Sequence, residues 1–104
     1  MIVIGEKING TRKQVAQAIA DRNADFIRDL AKRQFEAGAK YLDVNAGTMP
    51  QREPEDMEWL VDNVQEAAPD AVVCLDSANP KALRAGINRT AKTPMLNSLS
   101  GEGF

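Results

Sequence analysis

Four short apolar runs, separated by amphipathic stretches, constrain this chain more than any other feature. The runs are Ile2-Val3-Ile4, Tyr41-Leu42-Asp43-Val44, Val72-Val73-Cys74-Leu75 and Met95-Leu96. Each is too short for a helix and rich enough in aliphatic or β-branched residues for a buried strand. The stretches between them carry apolar residues at helical spacing. Residues 11–21 place Val15, Ala18 and Ile19 on one face. Residues 25–37 do the same with Phe26, Ile27, Leu30, Ala31 and Gln34 or Phe35, and Gly38 follows where a left-handed helix end is wanted. Pro54 suits the first turn of a helix bearing Met57, Leu60, Val61, Val64 and Ala68, which stops before Pro69-Asp70. Asn79-Pro80 is a helix start signal, and the helix it opens is expected to turn Leu83 and Ile87 inward. The order is β-α-α-β-α-β-α-β. Strands joined by single helical crossovers make a parallel sheet, and apolar strands without alternation fit burial on both faces, so the class is α/β.

The polar residues fall into line when the strand ends are compared. Ile4 is followed by Gly5, Glu6 and Asn9; the second run ends in Asp43 and Asn45; the third in Asp76 and Ser77; the fourth in Asn97 and Ser98. In a parallel sheet these ends share one rim, where loops and helix N-termini converge and where ligands of α/β sheets and (β/α) barrels bind. Carboxylates and amide oxygens accept hydrogen bonds, and amide nitrogens donate. Two Asp and three Asn therefore complement a planar edge that alternates N–H donors with a carbonyl, as the amino-pyrimidinone edge of a pterin or guanine does. Phosphate would call for glycine-rich turns or basic residues; neither GxGxxG nor GxxxxGK[ST] is present. With no histidine and one cysteine the chain has no zinc set and no Ser-His or Cys-His couple of its own, so no metal of its own is expected.

The same residues resemble a known family. Gly5-Glu6-Lys7-Ile8-Asn9 and Leu42-Asp43-Val44-Asn45-Ala46-Gly47 resemble the first- and second-strand motifs of methyltetrahydrofolate:corrinoid methyltransferases. Met57-Glu58-Trp59-Leu60-Val61 is similar to their following helix, and Cys74-Leu75-Asp76-Ser77-Ala78-Asn79 and Met95-Leu96-Asn97-Ser98 to their third and fourth strand ends. The resemblance covers nearly the whole chain. It implies a pterin-binding TIM barrel, of which residues 1–104 are the N-terminal half, about four βα units. It implies an enzyme that moves a methyl group between N5 of tetrahydrofolate and a corrinoid (cobalamin) carried on a partner protein. It implies that Asp76 and Asn97 bind the pterin ring, that Asp43 and Asn45 line or buttress the pocket floor, and that Glu6 and Asn9 lie near the ligand. The family's further Asp and Asn, on later strands, fall past residue 104, and catalytic residues are expected there.

Each of these residues also has a plainer reading. Asp76 could cap the following helix, Asp43 and Asn45 could hold loop backbone in Asx-turns, Glu6 could pair with a surface lysine, and Asn9-Gly10 could be only a turn. Cys74 reads as a small core residue, Trp59 as helix packing, and the helical Lys and Arg as a solvated face. A TIM barrel needs ~250 residues, so 104 residues read as a fragment or truncation, or as a half that pairs symmetrically with a second copy. The net charge of −2 gives no pull toward nucleic acid, and no apolar run approaches a membrane span of ~20 residues. No secretory signal opens the chain, and a single cysteine suits a reducing cytoplasm. A folate, a corrinoid protein and a homodimeric partner are expected. The alternatives are a dihydropteroate synthase-like pterin enzyme, a non-catalytic half-barrel that serves assembly, and a generic flavodoxin-like domain without a reason for four polar strand ends.

Overall fold

The computed structural model describes residues 3–97. Four strands run parallel in the order β1-β2-β3-β4: β1 (Ile4–Asn9), β2 (Tyr41–Asn45), β3 (Val72–Asp76) and β4 (Met95–Asn97). The connections are α1 (Lys13–Asp21) and α2 (Ala24–Glu36) between β1 and β2, α3 (Glu53–Ala67) between β2 and β3, and α4 (Pro80–Arg89) between β3 and β4. Sequential strands are neighbours and every crossover is helical, the open arc of a (β/α) barrel.

The helix ends follow local chemistry. The Asn23 side chain accepts a hydrogen bond from the Phe26 N–H (3.2 Å) and starts α2; the Asn79 side chain accepts from the Lys81 N–H (3.1 Å) and starts α4. Pro54 lies in the first turn of α3 and Pro80 in that of α4, where a missing N–H costs nothing. Gly38 takes φ +107° after α2. The Ala39 N–H then reaches the Gln34 carbonyl and the Gly38 N–H the Phe35 carbonyl, both at 3.0 Å, which satisfies the last turn. Helix α1 ends the same way, yet the left-handed residue is Arg22, at φ 53°. Ion pairing holds it there: its guanidinium lies 2.7 Å from Asp56 Oδ1 and 5.0 Å from the centre of the Trp59 ring.

Alternation along each strand divides the sheet into two faces. Leu42 and Val44 of β2, Val73 and Leu75 of β3, and Ile8 of β1 turn toward the helices. They pack with Ile19, Ile27, Ala31, Met57, Leu60, Val61 and Val64 into one buried core. Of the apolar set read for α2, Ile27, Ala31 and Gln34 are buried, while Phe26, Leu30 and Phe35 pack partly buried against the core.

Two expectations need correction. The first strand is not centred on Ile2-Val3-Ile4: among the described residues it runs over Ile4–Asn9, Val3 precedes it, and Ile2 lies outside the described residues. Pairing shows why the polar Glu6 and Lys7 are tolerated within it. Gly5 pairs with Leu42 and Ile8 with Val44, so Glu6 and Lys7 together oppose the single residue Asp43 in a bulge. On α4, Ile87 is exposed at 40%, and the inward face is Ala82, Ala85 and Gly86, with Leu83 half-buried. Small residues are required there because the helix lies close: a methyl group on Gly86 would come within 2.9 Å of the Leu75 side chain. The fourth strand covers Met95–Asn97 among the described residues, and Ser98 lies outside them.

Candidate functional site

The face of the sheet turned away from the helices carries a different chemistry. By the same alternation it presents Ile4, Glu6 and Asn9 from β1, Tyr41, Asp43 and Asn45 from β2, Val72, Cys74 and Asp76 from β3, and Met95 and Asn97 from β4. Ile4, Glu6, Asp43, Cys74, Met95, Leu96 and Asn97 line a concavity of about 270 Å³ on this face. The bulge decides the place of Glu6. It does not follow the first strand, as the sequence reading had it, but sits within the strand, opposite Asp43. Asp76 and Asn97 are direct partners across β3 and β4.

The electrostatics follow from this crowding. The Asp43 carboxyl is pushed up from 3.8 to about 6. Burial is the largest cause; next comes the charge of Asp76, then a hydrogen bond shared with that carboxyl, and lastly the charge of Glu6. Burial also pushes the Cys74 thiol up, with Asp43 adding to it. The thiolate is thereby disfavoured, and Cys74 is a floor residue of the cup rather than a nucleophile. Among the described residues, no group of three or more His, Cys, Asp or Glu is arranged to hold a metal ion.

Asn9 and Asn45 pair with each other where β1 and β2 meet the rim. The Asn9 side chain is committed to a turn: its oxygen accepts from the Thr11 N–H (2.9 Å) and hydroxyl (2.7 Å). The Asn45 carbonyl accepts from the Gly10 N–H at 2.6 Å. This contact brings two rim loops together so closely that only glycine fits. A methyl group on Gly10 would lie 1.6 Å from the Ala46 carbonyl oxygen, and one on Gly47, which takes φ +62°, would lie 2.7 Å from the Gly10 carbonyl carbon. Asn9-Gly10 and Asn45-Ala46-Gly47 thus form the lip of the cup, and the Asn9 side-chain oxygen is engaged in the turn that shapes it.

A second clamp holds the β3 end. The Ser77 hydroxyl donates to the Glu53 carboxylate at the start of α3, and the Asn79 N–H donates to the Ser77 oxygen (2.9 Å). The Asn79 side-chain amide donates to the Pro50 carbonyl (3.3 Å). Asn79 rather than Asp76 caps the next helix. Sequence reasoning did not single out Glu53, nor the lining residues Cys74 and Met95 as part of the cup. The strand period would have found the last two, since each lies two residues before a polar residue already identified.

Four parallel strands with helical crossovers and a rim of carboxylates and amides at the strand ends define an α/β half-barrel. The family model for pterin binding enzymes matches residues 5–104, and the chain belongs to that family. It is 48% identical over 103 residues to a methylcorrinoid:tetrahydrofolate methyltransferase of Eubacterium limosum. That alignment takes in 99% of this chain but 38% of the relative, so the chain spans well under half the length of the protein it matches.

Proposed function

We propose that this chain supplies the first four βα units of an enzyme that transfers a methyl group between N5 of tetrahydrofolate and a corrinoid carried on a partner protein. The observation that carries this reading is the cup itself: Glu6, Asp43 and Asn97 line one concavity, with Asp76 paired to Asn97. Its acceptors match the N–H groups of the pyrimidinone edge, and the name of the 48%-identical relative points to the same two substrates. In this reading Asp76 and Asn97 hold the ring edge, Asp43 and Glu6 form the floor beneath it, and Asn45 backs the lip.

The chemistry places a clear demand on the protein. The methyl group sits on a tertiary amine, a poor leaving group, so a hydrogen bond at N5 must strengthen as the bond to carbon breaks. The described residues grip the opposite end of the ring and fix its orientation for that event. The exposed Ile4, Met95 and Leu96 (47%, 48% and 53%) border the open side of the cup. Further strands, or a second copy of the chain, would pack there, and dimerisation is part of the proposal. Among the described residues no helix is long and apolar enough to cross a membrane. The single cysteine and the reduced corrinoid acceptor suit the cytoplasm.

The test is isothermal titration of the natural protein, at its full length, with methyltetrahydrofolate and separately with dihydropterin pyrophosphate. Saturable binding of the first is expected, together with a methyl-dependent change in the visible spectrum of a supplied corrinoid protein. Preference for the pyrophosphate would transfer the protein to pteroate synthesis. Binding of neither would leave the half-barrel as an assembly piece.

A further inference from the structure

The bulge in β1 decides which way Glu6 points. In a regular strand Glu6 and Ile8, on alternate positions, would leave the same face of the sheet. Here Ile8 is buried in the core on the helix side, while Glu6 lines the concavity on the other side. The extra residue makes this possible: neither Glu6 nor Lys7 has a partner of its own on β2, and the two stand together against Asp43. A bulge takes backbone groups out of the ladder, and those groups need other partners.

Side chains provide them. The Lys7 N–H donates to the Gln34 side-chain oxygen at 3.0 Å, and the Lys7 carbonyl accepts from the Arg12 guanidinium at 3.3 Å. Gln34 is 8% exposed and shares the buried stripe of α2 with Ile27 and Ala31. Its amide nitrogen is buried without a hydrogen-bond partner among the described residues. An unmatched buried donor costs stability, so packing alone does not account for a glutamine here. Gly5 leaves the room for it: a methyl group on Gly5 would lie 2.5 Å from the Gln34 side-chain oxygen and 2.9 Å from its amide carbon. Moving the glutamine aside would sever its bond to Lys7.

We propose that Gln34 is a positioning residue for the pterin: by accepting from the Lys7 N–H it holds the β1 bulge, and the bulge turns the Glu6 carboxylate into the cup. This rests on the pterin reading of the cup and adds to it the residue that aims one of its acceptors. Gln34 lies on the helix side of the sheet and acts through Glu6. Without its oxygen the Lys7 N–H is left unpaired and the bulge loses its support. Regular alternation would then turn Glu6 and Ile8 to a common face.

The experiment is a double-mutant cycle on the natural protein at its full length, with methyltetrahydrofolate as the probe and urea unfolding to establish that each variant folds. Gln34→Met keeps the length of the side chain and removes the acceptor. It is expected to bind about tenfold more weakly, the worth of one hydrogen bond to a charged group. Glu6→Ala is expected to weaken binding at least as much. In the Glu6→Ala background Gln34→Met is expected to have little further effect, because it acts through Glu6. Natural affinity in a folded Gln34→Met or Glu6→Ala protein overturns the proposal, and so does a double variant weakened by the product of the two factors. The bulge is also read without ligand or variant, by hydrogen exchange of the Lys7 amide. Slow exchange in the natural protein supports the proposal, and exchange at the rate of an open chain overturns it. If the natural protein binds no methyltetrahydrofolate, the pterin reading fails and the proposal with it; binding that is unchanged in Gln34→Met removes the role of Gln34 alone.

Discussion

Two groups of acids in this small fold are treated in opposite ways, and the contrast separates structure from function. Asp56, in the first turn of α3, is completely buried, yet it is matched by cations: Arg22 at 2.7 Å and Arg52 at 3.7 Å. Arg22 accepts a left-handed backbone to make that pair and lies over Trp59 as well. Charge, rather than well-angled hydrogen bonding, holds the carboxylate, since neither of its oxygens has a hydrogen-bond partner. Glu6, Asp43 and Asp76 are less buried, among the described residues no cation lines the concavity of Glu6 and Asp43, and Asp43 is pushed up to about 6, first by burial and next by the charge of Asp76. Arg22, itself in a left-handed conformation, balances the buried Asp56, while no described basic residue lines the concavity of Glu6 and Asp43, which agrees with the ligand-binding role proposed for that face.

The contrast breaks most visibly at Asp56. Asp56→Ala leaves Arg22 without its buried partner and without the reason for its backbone strain; a loss of ~3–5 kcal/mol in urea unfolding is expected, as for other severed buried pairs. A loss below ~1 kcal/mol would mean that the pair is ornamental and the comparison void.

Asp43 sharpens the contrast with the opposite sign. Its carboxyl goes from 3.8 in the free side chain to about 6 in the fold, so the folded state holds the proton more tightly. The fold is therefore relatively favoured below pH 4, loses stability as pH rises from about 4 to about 6, and stays lower above. Asp43→Asn is expected to raise stability at pH 7.5 by on the order of 1 kcal/mol, after discounting for solvent screening, and to give no gain below pH 4. Paired urea unfolding curves at the two pH values check this. A gain that is the same at both would point to packing instead.

The exposed pairs give the smallest effect. Asp29 and Arg33 on α2 lie 2.8 Å apart one turn from each other, with their side chains 54% and 75% exposed. Asp29→Asn should change stability by less than ~0.5 kcal/mol, which thermal unfolding can bound. A larger change would show that a surface acid here is held as firmly as Asp56.

Much of this was legible in the sequence. Apolar runs and helical spacing locate the first three helices to within two residues at each end, the start of the fourth, and three of the four strands to within one. Asp43, Asp76 and Asn97 were legible as strand residues of the inner face because each directly follows, or lies within, an apolar run. The first strand was not, since the bulge places Glu6 and Lys7 inside it and resets the alternation before Ile8. Asp56 was hidden among the acids of the α3 first turn, although it lies four residues before Leu60 and eight before Val64, on the apolar stripe. Arg22 carried no signal at all, because a left-handed arginine is dictated by its distant partner and not by its neighbours.

The central claim is that the inner face of this sheet recognises the pyrimidinone edge of a pterin through Asp76. The most direct measurement is the affinity of the natural protein and of Asp76→Ala for a tetrahydropterin without its benzoyl-glutamate tail, with unfolding curves recorded in parallel. Loss of one or two charge-assisted hydrogen bonds, ~1.5–3 kcal/mol each, should weaken binding by at least about tenfold while leaving the fold intact. Equal affinity in a folded Asp76→Ala protein would contradict the claim.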